Sequence, residues 1–103
     1  MGDVYKNITA SNLTVRSKVD HSFNDAKDKV DSETARFLSE VADEIKKAND
    51  ERAANLYRKF TSELQDPTPS KSALRGFWDD ILEVVPTVGT IAGAAGAIAK
   101  LLG

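Results

Sequence analysis

The chain has 103 residues, no cysteine and a formal net charge of −2. This length supports one small domain, and the basic residues are scattered among acids instead of forming a stripe, so we expect neither a separate catalytic domain nor nucleic-acid binding. Without cysteine there is no disulfide, and the first residues show neither the basic nor the apolar stretch of a signal peptide, so we expect a cytoplasmic protein.

The first residues differ in character from those that follow. β-Prone and bend-forming residues without helical spacing predict an extended arm over residues 1 to 17. Residues 6 to 10 and 11 to 15 align as two copies of a five-residue unit, which resembles the repeat of pentapeptide-repeat β-helices. That resemblance implies that Ile8 and Leu13 point inward in a stack of arms from several subunits. The alternative is a flexible or edge-pairing arm whose period is accidental.

Helical spacing begins at Val19 and predicts a helical hairpin core over residues 18 to 66. A short first helix capped by Asp20 would end near Asp31, and a turn at Asn49 would join a second helix to a third. The apolar stripes of these two helices are formed by Leu38, Val41, Ala42, Ile45 and Ala48 and by Ala53, Leu56, Tyr57, Phe60 and Leu64. Because short turns join antiparallel neighbours, we expect the two stripes to pack against each other.

A proline-containing linker over residues 67 to 71 separates this hairpin from an amphipathic to apolar segment over residues 72 to 103. Ser70 or Ser72 can cap a fourth helix, which would end where Pro86 interrupts the chain. The predicted fold class is therefore all-α: a small bundle with a central antiparallel helical hairpin, C-terminal apolar helices and a short extended N-terminal arm.

The 16 residues from 84 to 99 contain no charged side chain, which is too short a run for a constitutive membrane span. The rest of the chain, a second copy, a partner or a bilayer must cover this segment. Gly89, Gly93 and Ala97 also form a small-xxx-small ridge, which allows helices to approach closely. The candidate interaction residues are Phe77, Trp78, Ile81, Leu82, Val85, Val88, Gly89, Ile91, Gly93, Ala97 and Ile98.

Two resemblances bear on the role of this segment. Residues 77 to 103, with an aromatic start, a proline hinge and a small-residue helix, resemble membrane-active peptides and toxin tails. This implies membrane association on activation. Trp78 is then either an interfacial anchor or, equally, the largest side chain of an ordinary core. The whole chain, with its Gly-Asp-x-Tyr-x-Asn-Ile opening and apolar tail, resembles small helical bacterial proteins of defence or conflict loci, which implies an envelope effector or a regulatory adaptor.

Enzyme chemistry has little support in the residue pattern. His21 is the single histidine, and the glycine-rich residues 89 to 96 lack the Gly-Lys-Ser/Thr ending of a phosphate loop. We expect no catalytic residues, no cofactor, no metal and no small-molecule substrate. Two interpretations remain: an assembly or adaptor protein that forms a homo-oligomer or binds a protein partner, and an effector whose tail inserts into a membrane when triggered.

Overall fold

The structure, a computed structural model, describes residues 2 to 102, with side chains from residue 14 onward. Within these residues the chain forms five α-helices and one 3-10 helix, and no strand. The α-helices are α1 (Gly2–Lys27), α2 (Ser32–Ala48), α3 (Glu51–Leu64), α4 (Lys71–Val84) and α5 (Ala94–Leu102), and the 3-10 helix is Pro86–Thr90. The predicted all-α small bundle is thus confirmed.

The extended arm expected over residues 1 to 17 is wrong, because α1 begins at Gly2 and continues without a break to Lys27. The two five-residue units therefore lie on a helix and do not form turns of a β-helix. The side chains of Ile8 and Leu13, to which inward positions were assigned, lie outside the described side chains.

Packing explains why residues of β-prone composition form the helix α1. Val15, Val19 and Ala26 follow helical spacing and are buried, and α1 contacts both α2 and α3. Tertiary burial of one helix face outweighs intrinsic preferences that differ by less than about 1 kcal/mol per residue. Asp20 consequently lies inside α1 and caps no helix; its carboxylate accepts a hydrogen bond of 2.8 Å from Lys46 Nζ on α2.

The ends of the predicted helices are set by local side-chain caps. Asp50 accepts a hydrogen bond of 3.0 Å from the backbone N–H of Ala53 and so caps α3. Asn49, with φ of 52°, ends α2 in the left-handed conformation that asparagine tolerates. Ser70, rather than Ser72, caps α4. The turn predicted at Asn49 is therefore confirmed.

The arrangement of the helices differs from the expected central hairpin. Lys18 Nζ lies 3.1 Å from Glu51 Oε1 at the start of α3, and Lys29 Nζ donates to Gln65 Oε1 at 2.9 Å just beyond its end, so α1 and α3 run parallel. α3 packs mainly on α1 and α4 and only slightly on α2. α2 and α3 therefore lie diagonally opposite each other across the core, with α1 on one side and α4 to α5 on the other.

Aromatic side chains fill the centre between these diagonal helices. The Trp78 ring of α4 lies 5.4 Å from Phe37 of α2 and 6.2 Å from Phe60 of α3, measured between centroids. The Tyr57 hydroxyl on α3 donates a hydrogen bond of 2.9 Å to the backbone carbonyl of Leu38 on α2, and burial raises the pKa of this phenol. The aromatic side chain of α4 is therefore part of the core that joins α2 to α3.

Candidate interaction surface

The structure divides the candidate interaction residues into a buried set and a surface set. The buried members are Trp78, Ile81, Val85, Val88 and Ala97. The half-buried members are Phe77, Leu82, Ile91 and Ile98, and the exposed ones are Gly89 and Gly93. The rest of the chain covers the inner side of the C-terminal segment. Because α2 and α3 lie diagonally opposite each other, their apolar stripes do not cover each other and can pack against this segment.

Trp78 takes no part in an exposed surface. Only 6% of its area reaches solvent, and Ile81, one turn further along α4, is fully buried. In the folded chain Trp78 is therefore a core residue, and the anchor role implied by the resemblance to membrane-active peptides would require α4 to leave the bundle.

The predicted glycine ridge is wrong as a continuous helix face. Gly89 lies in the 3-10 helix, Ala97 lies in α5, and Gly93 stands between them with φ of 83°. A Cβ added at Gly93 would meet no atom within 4 Å, so this glycine provides a backbone conformation and no close contact. Close approach is limited to Gly89, where an added Cβ would lie 3.0 Å from Leu82 Cδ2.

The C-terminal segment also has an apolar side on its last helix, the α5 outer face, which we define as Ala95, Ile98, Ala99 and Leu102. The two alanines are exposed and the two larger side chains are half-buried against the core. Residues at these spacings occupy one side of a helix. This face therefore presents only apolar side chains to solvent.

The one charge on α5 is directed away from this face. Lys100 Nζ donates to Asp31, the cap of α2, and lies 3.5 Å from Glu33. Hydrogen bonds from Lys100 and from Thr34 hold the pKa of Asp31 well below its ordinary range, and the same pair raises the pKa of Lys100. These ion pairs fasten the end of α5 to the start of α2.

Replacing Asp31 by asparagine is expected to remove the ion pair with Lys100 but to keep the cap of α2, because asparagine also caps helices. A depressed carboxylate pKa means that Asp31 stabilises the fold above its ordinary pKa near 4 and loses that contribution as the pH falls below it. The urea midpoint of Asp31→Asn should therefore change less between about pH 6 and about pH 3 than that of the wild type.

Asp28→Asn serves as the matched control for this prediction. Asp28 is an exposed carboxylate in the same connection between α1 and α2, and the described residues give it no ion pair. Its variant should keep the acid response of the wild type. Equal acid responses in Asp31→Asn and Asp28→Asn would contradict the role given to the Lys100 pair.

Other candidate chemistry is sparse in the described part of the chain. His21 is exposed, with its Nε2 3.2 Å from Asp25 Oδ2. Within residues 2 to 102, no three of the described metal-ligating side chains come together. No helix in the same range combines the length and apolar character that crossing a bilayer requires.

Comparison of the chain with protein-family models, curated proteins and solved structures finds no match. The resemblance to proteins of defence loci therefore stays a prediction. A functional assignment rests on the surfaces of this molecule alone.

Proposed function

We propose that this protein is a non-enzymatic assembly protein that self-associates through the α5 outer face. The observation that carries the proposal is a helix face without charge, formed by the exposed Ala95 and Ala99 beside the half-buried Ile98 and Leu102, from which Lys100 is turned away. Exposed apolar patches mark interaction sites, and small side chains let two helix backbones come close together.

A second copy of the chain suits this surface better than an unrelated partner. The face offers neither the charge pattern nor the deep pocket by which interfaces select different partners. An uncharged face whose exposed members are alanines is complementary to an identical face related by a two-fold axis. We therefore place α5 against α5 in a symmetric dimer, with a helix from another protein as the competing occupant.

The membrane-inserting alternative has less support from the geometry. α5 has nine residues, less than half of the ~20 that a spanning helix needs. A longer insert would have to include α4 and the 3-10 helix, and Trp78, Ile81 and Val88 of those elements are buried in the core. Insertion of that length would require the bundle to open.

The double variant Ala95→Glu/Ala99→Glu tests the proposal. Both alanines are exposed, so the fold should survive while two carboxylates are forced into the contact. By sedimentation equilibrium at tens of micromolar, we expect twice the 11.2 kDa chain mass for the wild type and the single mass for the variant.

Ala48→Glu is the matched control, since Ala48 is an exposed alanine at the far end of α2. It should sediment as the wild type does. A wild type of single mass at every concentration, or a double variant that still associates, would contradict the proposal. A monomer that binds lipid vesicles through residues Ala95 and Ala99 would instead favour the membrane alternative.

A further inference from the structure

A cavity of about 370 Å³ opens at the end of the bundle that carries the linker between α3 and α4. Val30, Leu64, Leu74 and Leu101 supply most of its apolar lining. Leu74 is buried, while the other three are half-buried. The volume lies at the lower end of the range of small-molecule pockets, which combine an apolar wall with a few polar groups.

The charged residues of the cavity leave a cation available to a ligand. The Asp31 carboxylate already accepts hydrogen bonds from Lys100 and from the backbone N–H of Thr34, at 2.8 Å for the latter. Lys71 also lines the cavity, is exposed, and has no ion pair among the described side chains. A ligand therefore meets a carboxylate that is already paired, on Asp31, and an ammonium group that is not, on Lys71. This arrangement favours a ligand with an anionic head group.

We propose that this cavity binds a single-chain amphiphile with a carboxylate head, such as a medium-chain fatty acid. The alkyl chain would lie against Val30, Leu64, Leu74 and Leu101, and the carboxylate would pair with Lys71. A volume of about 370 Å³ holds roughly a dozen groups of the size of a water molecule, which is the number of heavy atoms in decanoate. One alkyl chain fits, whereas the two chains of a phospholipid do not.

No sequence pattern predicts this site, because its lining comes from four separated stretches of the chain. Val30 follows α1, Leu64 ends α3, Leu74 belongs to α4 and Leu101 to α5. The proposed site gives the protein a small-molecule ligand, whereas the residue pattern predicts no small-molecule substrate. It is also independent of the α5 outer face, so either proposal can fail without the other.

Isothermal titration of the full chain with decanoate and with octanoate tests the site. We expect saturable binding of one decanoate per chain, about sixteenfold tighter than octanoate, because each of the two additional methylenes transferred from water contributes about fourfold. Lys71→Gln should weaken decanoate binding about threefold to fivefold, as expected for an exposed ion pair, and should leave the uncharged decan-1-ol unaffected.

Two further variants keep the result interpretable. Lys59→Gln removes an exposed lysine that lines a different groove, and it should bind decanoate as the wild type does. Val30→Phe should fill the cavity and abolish binding while thermal unfolding shows the fold intact. Non-saturable uptake, equal affinity for both chain lengths, or equal losses in Lys71→Gln and Lys59→Gln would overturn the proposal.

Discussion

Replacing Trp78 by alanine is expected to lower the free energy of unfolding by about 3–5 kcal/mol. The ring is almost fully buried and contacts Phe37 and Phe60, so the truncation leaves a cavity where α2, α3 and α4 meet. Native proteins have only about 5–15 kcal/mol of total stability, so the variant should lose a large fraction of it. Urea denaturation followed by far-UV circular dichroism measures the loss, because Trp78 is the only tryptophan available for fluorescence.

Phe77→Ala provides the control on the same helix. Phe77 is half-buried and faces a groove lined by Arg58 and Glu63, so part of its surface is already in water and its truncation should cost clearly less. Equal, small losses in the free energy of unfolding for the two variants would mean that Trp78 lies outside the core. They would then favour a role for Trp78 as a membrane or partner anchor.

Alanine at Gly93 and at Gly96 is expected to change stability in opposite directions. Gly93 has φ of 83°, so a side chain there costs about 1–2 kcal/mol although nothing lies within 4 Å of the added atom. Gly96 lies inside α5 with the same open space, so alanine should stabilise the fold by up to about 1 kcal/mol through helix propensity. Thermal or urea unfolding of the two variants gives the signs directly.

The opposite signs also decide between two descriptions of the C-terminal segment. If Gly93→Ala stabilised the fold as Gly96→Ala does, the chain would be helical through residue 93, and a ridge from Gly89 to Ala97 would exist after all. A loss at Gly93 alone supports the break between the 3-10 helix and α5.

Local signals made much of the fold predictable. The turn at Asn49, the Ser70 cap and the interruption at Pro86 depend on side chains within a few residues, so a sequence pattern contains the required information. The β-prone composition before Val15, by contrast, predicts an extended arm where the chain is helical. Helix formation there is coupled to the burial of Val15 and Val19 by other elements, which no local pattern records.

The candidate surface was harder to predict, because an apolar stripe does not state which neighbour covers it. The sequence predicts that the stripes of α2 and α3 pack against each other, yet Ile81 and Val88 are buried in the core because α2 and α3 lie diagonally opposite each other. The uncharged run located the correct segment, but the choice of Ala95 and Ala99 as its outward members needed the helix register and the direction of Lys100.

Single-cysteine cross-linking tests the symmetric α5 contact most directly. The chain has no cysteine, so Ala99→Cys introduces the only thiol, and a disulfide forms only where two Cα atoms come within about 7 Å. Under mild oxidation Ala99→Cys or Ala95→Cys should give a covalent dimer, while Ala48→Cys, exposed at the end of α2, should stay monomeric. Monomers from both α5 variants, or equal dimer yields from Ala48→Cys, would contradict assembly through the α5 outer face.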